Sequence, residues 1–400
     1  MRNESISIGV GSRVARLPLS RLNRHMLITG ATGSGKTVSL IGMVERLAQA
    51  GVPVFLPDVK GDLAAIGGVP CRRLEPFRMS ADLLDPATVS AALGLSATQA
   101  ATLEIVWSVG MRLGSFKSLD DVRSVARTLE SNASLAADLG RVSPVSLSVI
   151  LRALLAFERS GGRALFGEPF DVARLVDLAA DGRGLVNVFP AAALISSPSL
   201  YALALLYVLD EMTTRFPECG DLDRPRVAVV IDEAHLLFEE STPETVRAIV
   251  RKVRLLRSKG VALIFASQSP GDLPTELLAQ LANRVQHRLG AASAADLRAV
   301  KIAAETLPPN GSDLVATIKG LAIGCALVSF VDPAGVPSVP IVVQMPPPSA
   351  VATSEAVPLI DPATPATGDT VAGRHDFAAG LVIIGGALAL LAKIVAWSIG

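Results

Sequence analysis

The stretch His25–Thr37, HMLITGATGSGKT, decides the fold of this chain of 400 residues. Its first half is an apolar run that predicts a buried strand, and its second half, Gly30–Thr37, fits the pattern G-x-x-x-x-G-K-[ST]. Beyond Thr37, apolar residues recur at helical spacing until Gly51, so the loop lies between a strand and a helix. Glycines in that setting let backbone N–H groups turn inward around phosphate oxygens. The stretch therefore predicts a nucleotide site rather than an ordinary turn.

Two side chains of the loop carry specific chemistry. Lys36 is placed to reach the β- and γ-phosphates, and the Thr37 hydroxyl is placed to hold Mg²⁺. The predicted nucleotide-binding residues are Gly30, Ala31, Thr32, Gly33, Ser34, Gly35, Lys36 and Thr37.

The segment RVAVVIDEAHLLF (226–238) supplies the second half of this site. A short apolar run carries Asp232 to the end of a predicted strand, where its carboxylate can bind Mg²⁺ through water. Glu233 follows directly and is placed to polarise a water against the γ-phosphate. This pair favours hydrolysis coupled to work over a small-molecule kinase, and His235 is interpreted as a structural neighbour. The tetrapeptide DEAH is a weak match to two-lobed helicases, because no second lobe with a QxxGR motif follows.

A third polar strand end occurs in ALIFASQSP (262–270), where Ser267 and Gln268 close an apolar run. Gln268 is predicted to lie between the acidic pair and the γ-phosphate and to sense the loss of that phosphate. An ordinary strand-end turn is the alternative.

The segment 242–260, TPETVRAIVRKVRLLRSKG, predicts a basic helix. Arg247, Arg251 and Arg254 recur at spacings of four and three, so they share one face. That face is either solvated or brings one arginine into the nucleotide site of a neighbouring subunit, a known way to stabilise transferred-phosphate charge. Arg284 in LANRVQHRL is a second candidate for that role.

Organisation and composition set the fold class. Strands that are nearly continuously apolar alternate with helices, which predicts an α/β core with a parallel sheet flanked by helices. The core domain is assigned to residues 1–342, with a helical insertion at about 80–184.

Half the residues are hydrophobic and 18% are charged, which excludes a disordered chain. Lysine plus arginine number 37 and aspartate plus glutamate 37, so DNA contact would need a local patch or a pore.

The C-terminal part differs in composition. Residues 343–376 are rich in Pro, Ala and Thr without periodicity and are interpreted as a disordered linker. Residues 377–399 form an apolar run interrupted by Lys393, long enough to span a bilayer if that lysine lies at an interface. We therefore predict a C-terminal hydrophobic helix that anchors a cytoplasmic ATPase domain to the inner membrane. The alternative is a buried C-terminal helix.

Five segments in fixed order resemble the bacterial YjgR-type family of HerA-like NTPases, within the HerA/FtsK group of motor ATPases. They are NRHMLITGATGSGKT (23–37), GVPVFLPDVKGDLA (51–64), FPECGDLDRPRVAVVIDEAHLLF (216–238), RLLRSKGVALIFASQSPGDLP (254–274) and LANRVQHRL (281–289). The resemblance covers roughly residues 1–340.

It implies a RecA-like P-loop ATPase core and a homo-oligomeric ring, a hexamer, with ATP and Mg²⁺ between subunits and double-stranded DNA as the polymer moved through the pore. By motif match, Asp232 is the metal residue, Glu233 the catalytic residue and Gln268 the sensor, while Arg254 or Arg257 stands where an arginine finger is expected. The DVKGD motif (58–62) matches the family without an assigned chemistry, and no nuclease partner is established.

The function expected from these features is that of a ring-forming, ATP-hydrolysing motor that moves or remodels DNA beside a membrane. A membrane-tethered ATPase that powers protein or macromolecular transport, or a stress response, without DNA is the first alternative, and the balanced charge is compatible with it. A nucleotide-binding regulator without turnover is the second, and Glu233 argues against it.

Overall fold

The computed structural model describes residues 4–61, 66–114, 116–132, 134, 136, 139, 142–220, 222–239, 243–290, 292–332 and 334–349. Within these residues, eleven strands form one mixed sheet. In chain order the strands are β1 (Ser5–Gly11), β2 (Val14–Pro18), β3 (Met26–Thr29), β4 (Val54–Asp58), β5 (Cys71–Arg73), β6 (Val186–Pro190), β7 (Val227–Ile231), β8 (Val261–Ser267), β9 (Asn283–His287), β10 (Cys325–Ser329) and β11 (Ile341–Gln344). They lie in the order β2-β1-β11-β10-β9-β3-β8-β7-β4-β6-β5.

The part of the sheet from β9 to β5 is parallel throughout. Every residue of β3, β7 and β8 is buried. Such strands are covered on both faces, which is why they read as continuous apolar runs. The predicted α/β core with a parallel-dominated sheet is confirmed.

The other end of the sheet is antiparallel and was not predicted. β10 pairs antiparallel with β9, β11 with β10, and β1 with β11. β1 and β2 pair as a hairpin in which Gly11 N–H donates to Arg13 O at 3.0 Å. Close neighbours in sequence can pair only antiparallel, since a parallel crossover needs a dozen or more residues.

The described residues also form helices that connect the strands. They are α1 (Lys36–Gln49), α2 (Pro86–Ala92), α3 (Ala97–Leu113), α4 (Leu119–Ser131), α5 (Pro144–Arg159), α6 (Pro198–Arg215), α7 (Pro243–Ser258), α8 (Thr275–Leu278), α9 (Ala294–Glu305) and α10 (Leu314–Gly320). α1 buries Leu40, Val44 and Leu47 in the same hydrophobic cluster as Met26 and Ile28 of β3. This packing fixes the start of α1 relative to the end of β3.

Residues 78–170 form a separate compact unit that contains α2 to α5. Two of its helices begin with capping boxes, Ser96 with Gln99 and Ser118 with Asp121. Residues 171–184, which the sequence placed in the helical insertion, group with the sheet unit instead.

The described chain extends past the domain end expected at residue 342. β11 continues to Gln344, and Met345 is buried in the hydrophobic core. The rest of the predicted linker, from residue 350 on, and the predicted helix 377–399 lie outside the described residues. Among the helices that are described, none combines the length and the apolar character that crossing a membrane requires.

Candidate nucleotide site

Three neighbouring strands bring the predicted site residues to one edge of the sheet. β8 lies between β3, which leads into the loop Gly30–Gly35, and β7, which leads into Asp232 and Glu233. Because the three strands are parallel, their carboxyl ends meet at the same edge. A cavity of about 360 Å³ opens there. Its lining comprises Ala31, Thr32, Gly33, Gly35, Lys36, Thr37, Val38, Lys60, Glu233, Gln268 and Ile323.

The loop conformation requires glycine. Gly33 and Gly35 have φ of 76° and 98°, in the left-handed region that L side chains rarely adopt. At Gly30 a Cβ would lie 2.5 Å from His287 Cβ, so a side chain does not fit there. Gly35 stands at the N-terminus of α1, whose first N–H groups lack partners within the helix. The loop thus forms an anion cradle at a helix N-terminus.

Lys36 and Asp232 face each other beneath this cradle. Lys36 Nζ lies 3.8 Å from Asp232 Oδ1 and 3.6 Å from Glu233 Oε1. Within the described residues, neither Lys36 Nζ nor either carboxylate oxygen of Asp232 has a well-formed hydrogen-bond partner, although all three atoms are buried. Burial raises the pKa of the Asp232 carboxyl, with the charge of Lys36 opposing that rise. Buried charges without hydrogen-bond partners are costly. The arrangement therefore suits the binding of a polyanion together with a metal cation.

Glu233 occupies a strained position next to this pair. Its φ of 47° and ψ of 49° lie in the left-handed region, a conformation that costs on the order of 1–3 kcal/mol and is concentrated at functional sites. Its Oε1 accepts a hydrogen bond from Lys60 Nζ, and its Oε2 lies 3.4 Å from His235 Nδ1. Burial would raise the pKa of the Glu233 carboxyl, but the Lys60 hydrogen bond and the charge of Lys36 outweigh it and lower the pKa.

The two polar residues at the end of β8 differ in their surroundings. Ser267 is fully buried, and its Oγ donates to Asp272 Oδ2 at 3.1 Å. Its hydroxyl is therefore committed to the turn that follows the strand. Gln268 is exposed and lines the cavity, on the β8 side of the acidic pair.

The predicted arginines lie elsewhere. Arg254 and Arg257 are exposed on α7, and no arginine is among the described residues that line the cavity. Lys252 of the same helix is buried and pairs with Asp210. Arg284, the second finger candidate, is buried and donates to Leu278 O at 2.7 Å, which commits it to the interior of its own chain.

Sequence reasoning missed two features of the site. Lys60 follows β4, the neighbour of β7 opposite to β8, and reaches Glu233 from that side. Thr29 Oγ1 donates to Gln286 Oε1 at 2.6 Å, which ties the end of β3 to β9. The DVKGD motif was the available signal for Lys60, whereas nothing in the local pattern marks the contact between Thr29 and Gln286.

Comparison with protein families matches this chain to the model described as Helicase HerA-like C-terminal, over residues 5–73 and 68–363. No curated protein sequence matches the chain.

Several solved structures share the fold. Plasmid coupling protein TrwB, in complex with the non-hydrolysable ATP analogue ADPNP, aligns over 88% of this chain and 92% of its own, at 16% identity and a TM-score of 0.65. TrwB in complex with ADP and Mg²⁺ aligns over 86% and 89%, at 16% identity and a TM-score of 0.59. VirB4 of Thermoanaerobacter pseudethanolicus aligns over 86% and 96%, at 16% identity and a TM-score of 0.60. At this identity the likeness establishes the fold alone.

Proposed function

The chain belongs to the Helicase HerA-like C-terminal family, and on that premise we propose that it is a ring-forming motor that hydrolyses ATP and moves double-stranded DNA. The observation that carries the proposal is the buried pair of Lys36 and Asp232 beneath the glycine cradle, with Glu233 beside it. TrwB, which resembles the chain in fold, is known in complexes with ADP and Mg²⁺ and with ADPNP, and these support ATP with Mg²⁺ as the ligands.

The residues present fit both ligands. Lys36 Nζ is a buried cation without a described hydrogen-bond partner, as a phosphate-binding lysine needs to be before its ligand arrives. Asp232 offers two similarly unpartnered oxygens, and the half-buried Thr37 lines the same cavity. These two residues would hold Mg²⁺, which would offset the negative charge of the phosphates.

Hydrolysis requires a base, and Glu233 takes that role. Its carboxylate accepts a proton from the water whose oxygen bonds to the terminal phosphorus, while the bond to the leaving ADP oxygen breaks. Lys36 stabilises the charge on the phosphate oxygens. Gln268, an amide that can both donate and accept, orients the water or the terminal phosphate from the β8 side.

An arginine completes the site from a neighbouring subunit. The described cavity lining contains no arginine, although such a charge commonly stabilises phosphoryl transfer. Arg254 and Arg257 are exposed near the C-terminal end of α7, where another subunit of a hexameric ring can contact them. This arrangement makes ATP hydrolysis depend on ring assembly.

DNA contact relies on local basic residues, since the chain as a whole carries no net charge. Arg247 and Arg251 are exposed along α7. If they face duplex DNA, binding falls steeply with salt, because each neutralised phosphate releases condensed counterions. Sequence preference is slight, because phosphate contacts carry no base information.

A second candidate is a membrane-tethered ATPase that powers transport without DNA. The balance of 37 basic and 37 acidic residues is compatible with it, and the apolar segment 377–399 supplies an inner-membrane anchor for either function. Duplex binding by the full chain, with ADPNP and Mg²⁺, over a series of salt concentrations separates the two. Salt-sensitive binding supports the DNA motor, whereas no binding at low salt by an assembled ring supports transport.

A further inference from the structure

The turn that follows β4 carries a lysine into the nucleotide site. Gly61 N–H donates to Asp58 Oδ1 at 2.8 Å, and Asp58 is buried, so the turn is held by its own first residue. β4 is the neighbour of β7 on the side away from β8. Lys60 therefore approaches the acidic pair from the opposite side to Gln268, and both residues line the same cavity.

Two ammonium groups meet at one carboxylate oxygen. Lys60 Nζ donates to Glu233 Oε1 and lies 3.9 Å from Asp232 Oδ2. Lys36 Nζ approaches the same Glu233 oxygen, at 3.6 Å. The two lysines differ in freedom, because the side chain of Lys36 is 7% exposed and that of Lys60 is 38% exposed. Lys60 can therefore exchange one hydrogen-bond acceptor for another at a lower cost in free energy than Lys36 can.

This geometry conflicts with the role of Glu233 as a base. Lys60 already occupies Glu233 Oε1, so that oxygen is not available to accept a hydrogen bond from the attacking water. A terminal phosphate carries more negative charge than one carboxylate and offers three acceptor oxygens in the same cavity. When ATP binds, the phosphate competes with Glu233 for Lys60.

We propose that Lys60 is a positioning residue that holds Glu233 when no nucleotide is bound and transfers to the terminal phosphate of ATP, thereby releasing Glu233 for its role as base. The inference rests on the proposed hydrolysis of ATP at this site. It assigns to the lysine of the DVKGD motif a role as sensor of the third phosphate. ADP lacks that phosphate, so it leaves the ion pair between Lys60 and Glu233 in place.

The test is a binding cycle that needs no turnover. The affinities of the full chain for ADPNP and for ADP, both with Mg²⁺, are measured by calorimetry for the wild type, Lys60→Met, Glu233→Gln and the double variant. Lys60→Met is expected to weaken ADPNP binding about tenfold, the effect of one charge-assisted hydrogen bond to a partly exposed group, and to change ADP affinity less than about twofold. Lys60→Arg, which retains the charge, restores most of the loss.

The Glu233→Gln arm isolates the exchange of partners. Removing the carboxylate charge of residue 233 removes its competition with the phosphate for Lys60, so this variant is expected to bind ADPNP several-fold more tightly than the wild type. That gain disappears in the double variant, because the lysine that produces it is gone. Lys301→Met, which removes an exposed positive charge outside the cavity lining, is the matched control and leaves both affinities unchanged.

The outcomes are distinct. An equal loss of ADP and ADPNP affinity in Lys60→Met, or a Glu233→Gln gain that persists without Lys60, overturns the role of Lys60 and leaves the nucleotide site intact. Failure of the wild type to bind either nucleotide overturns the proposed function as well. Thermal unfolding of each variant shows whether it folds, and the Glu233→Gln and Lys60→Arg arms decide the question if Lys60→Met does not.

Discussion

Glu233→Gln separates nucleotide binding from chemistry. The substitution replaces one carboxylate oxygen by an amide nitrogen and retains the length of the side chain, and the left-handed backbone conformation at φ 47° is no harder for glutamine than for glutamate. Lys36 and Asp232 are unchanged in this variant. Binding of ATP with Mg²⁺ is therefore not weakened.

Turnover is lost, because an amide cannot accept the proton of the attacking water. A positioned general base contributes about 10²–10⁴-fold, so we expect a loss of at least about a hundredfold, equal to about 2.7 kcal/mol in the activation free energy. Lys36→Ala is the contrasting variant, since it removes the phosphate-binding ammonium and weakens binding itself.

The assay is steady-state phosphate release at saturating ATP, with nucleotide affinity measured separately for both variants. Glu233→Gln should combine an affinity at least equal to that of the wild type with a low kcat, whereas Lys36→Ala should show poor affinity. Near-normal kcat in Glu233→Gln would refute the assignment of Glu233 as the base.

Three further predictions concern assembly, pH and the membrane. Arg254→Ala or Arg257→Ala should retain nucleotide binding and lose about a thousandfold in turnover, and mixing the inactive variant with Lys36→Ala subunits should restore part of the activity. If mixed rings are shown to form but have no activity, an arginine finger supplied by a neighbouring subunit is contradicted. Burial lowers the pKa of His25 from 6.5 to about 4, so the unfolded chain binds a proton that the folded chain does not. The free energy of unfolding should therefore fall as the pH drops from about 6.5 to about 4, by up to about 3 kcal/mol from this group, and denaturant titrations showing no such fall would contradict its neutral burial. The full chain should fractionate with membranes, and removal of residues 377–400 should release it. A full chain that stays in solution without detergent would contradict the membrane anchor.

The parts of the site that the sequence predicted belong to contiguous motifs. The phosphate loop and the Asp232–Glu233 pair each lie at the end of an apolar run, and a parallel sheet brings such strand ends together whatever the distance in sequence. Gln268 could be placed for the same reason, and β8 does lie between β3 and β7. Local sequence patterns were enough to predict these residues, because the order of the strands in the sheet brings their ends together.

Other features depend on contacts that a single sequence does not display. Lys60 became part of the site only because β4 lies next to β7, a neighbour relation that follows from packing of the whole sheet. Arg284 has the same chemistry as the exposed arginines of α7, yet β9 is buried and its guanidinium donates to backbone carbonyls. The antiparallel strands β10 and β11 pair at the far side of β9, where β11 also meets the first strand of the chain.

The ATPase rate of the assembled full chain, measured at low salt with and without duplex DNA, tests the proposed motor most directly. Glu233→Gln, measured in parallel, accounts for any contaminating hydrolysis. We predict that duplex DNA raises the wild-type rate several-fold, that the increase disappears at high salt, and that the variant stays inactive in both conditions. An active wild-type ring whose rate is the same with and without duplex DNA would contradict a DNA motor.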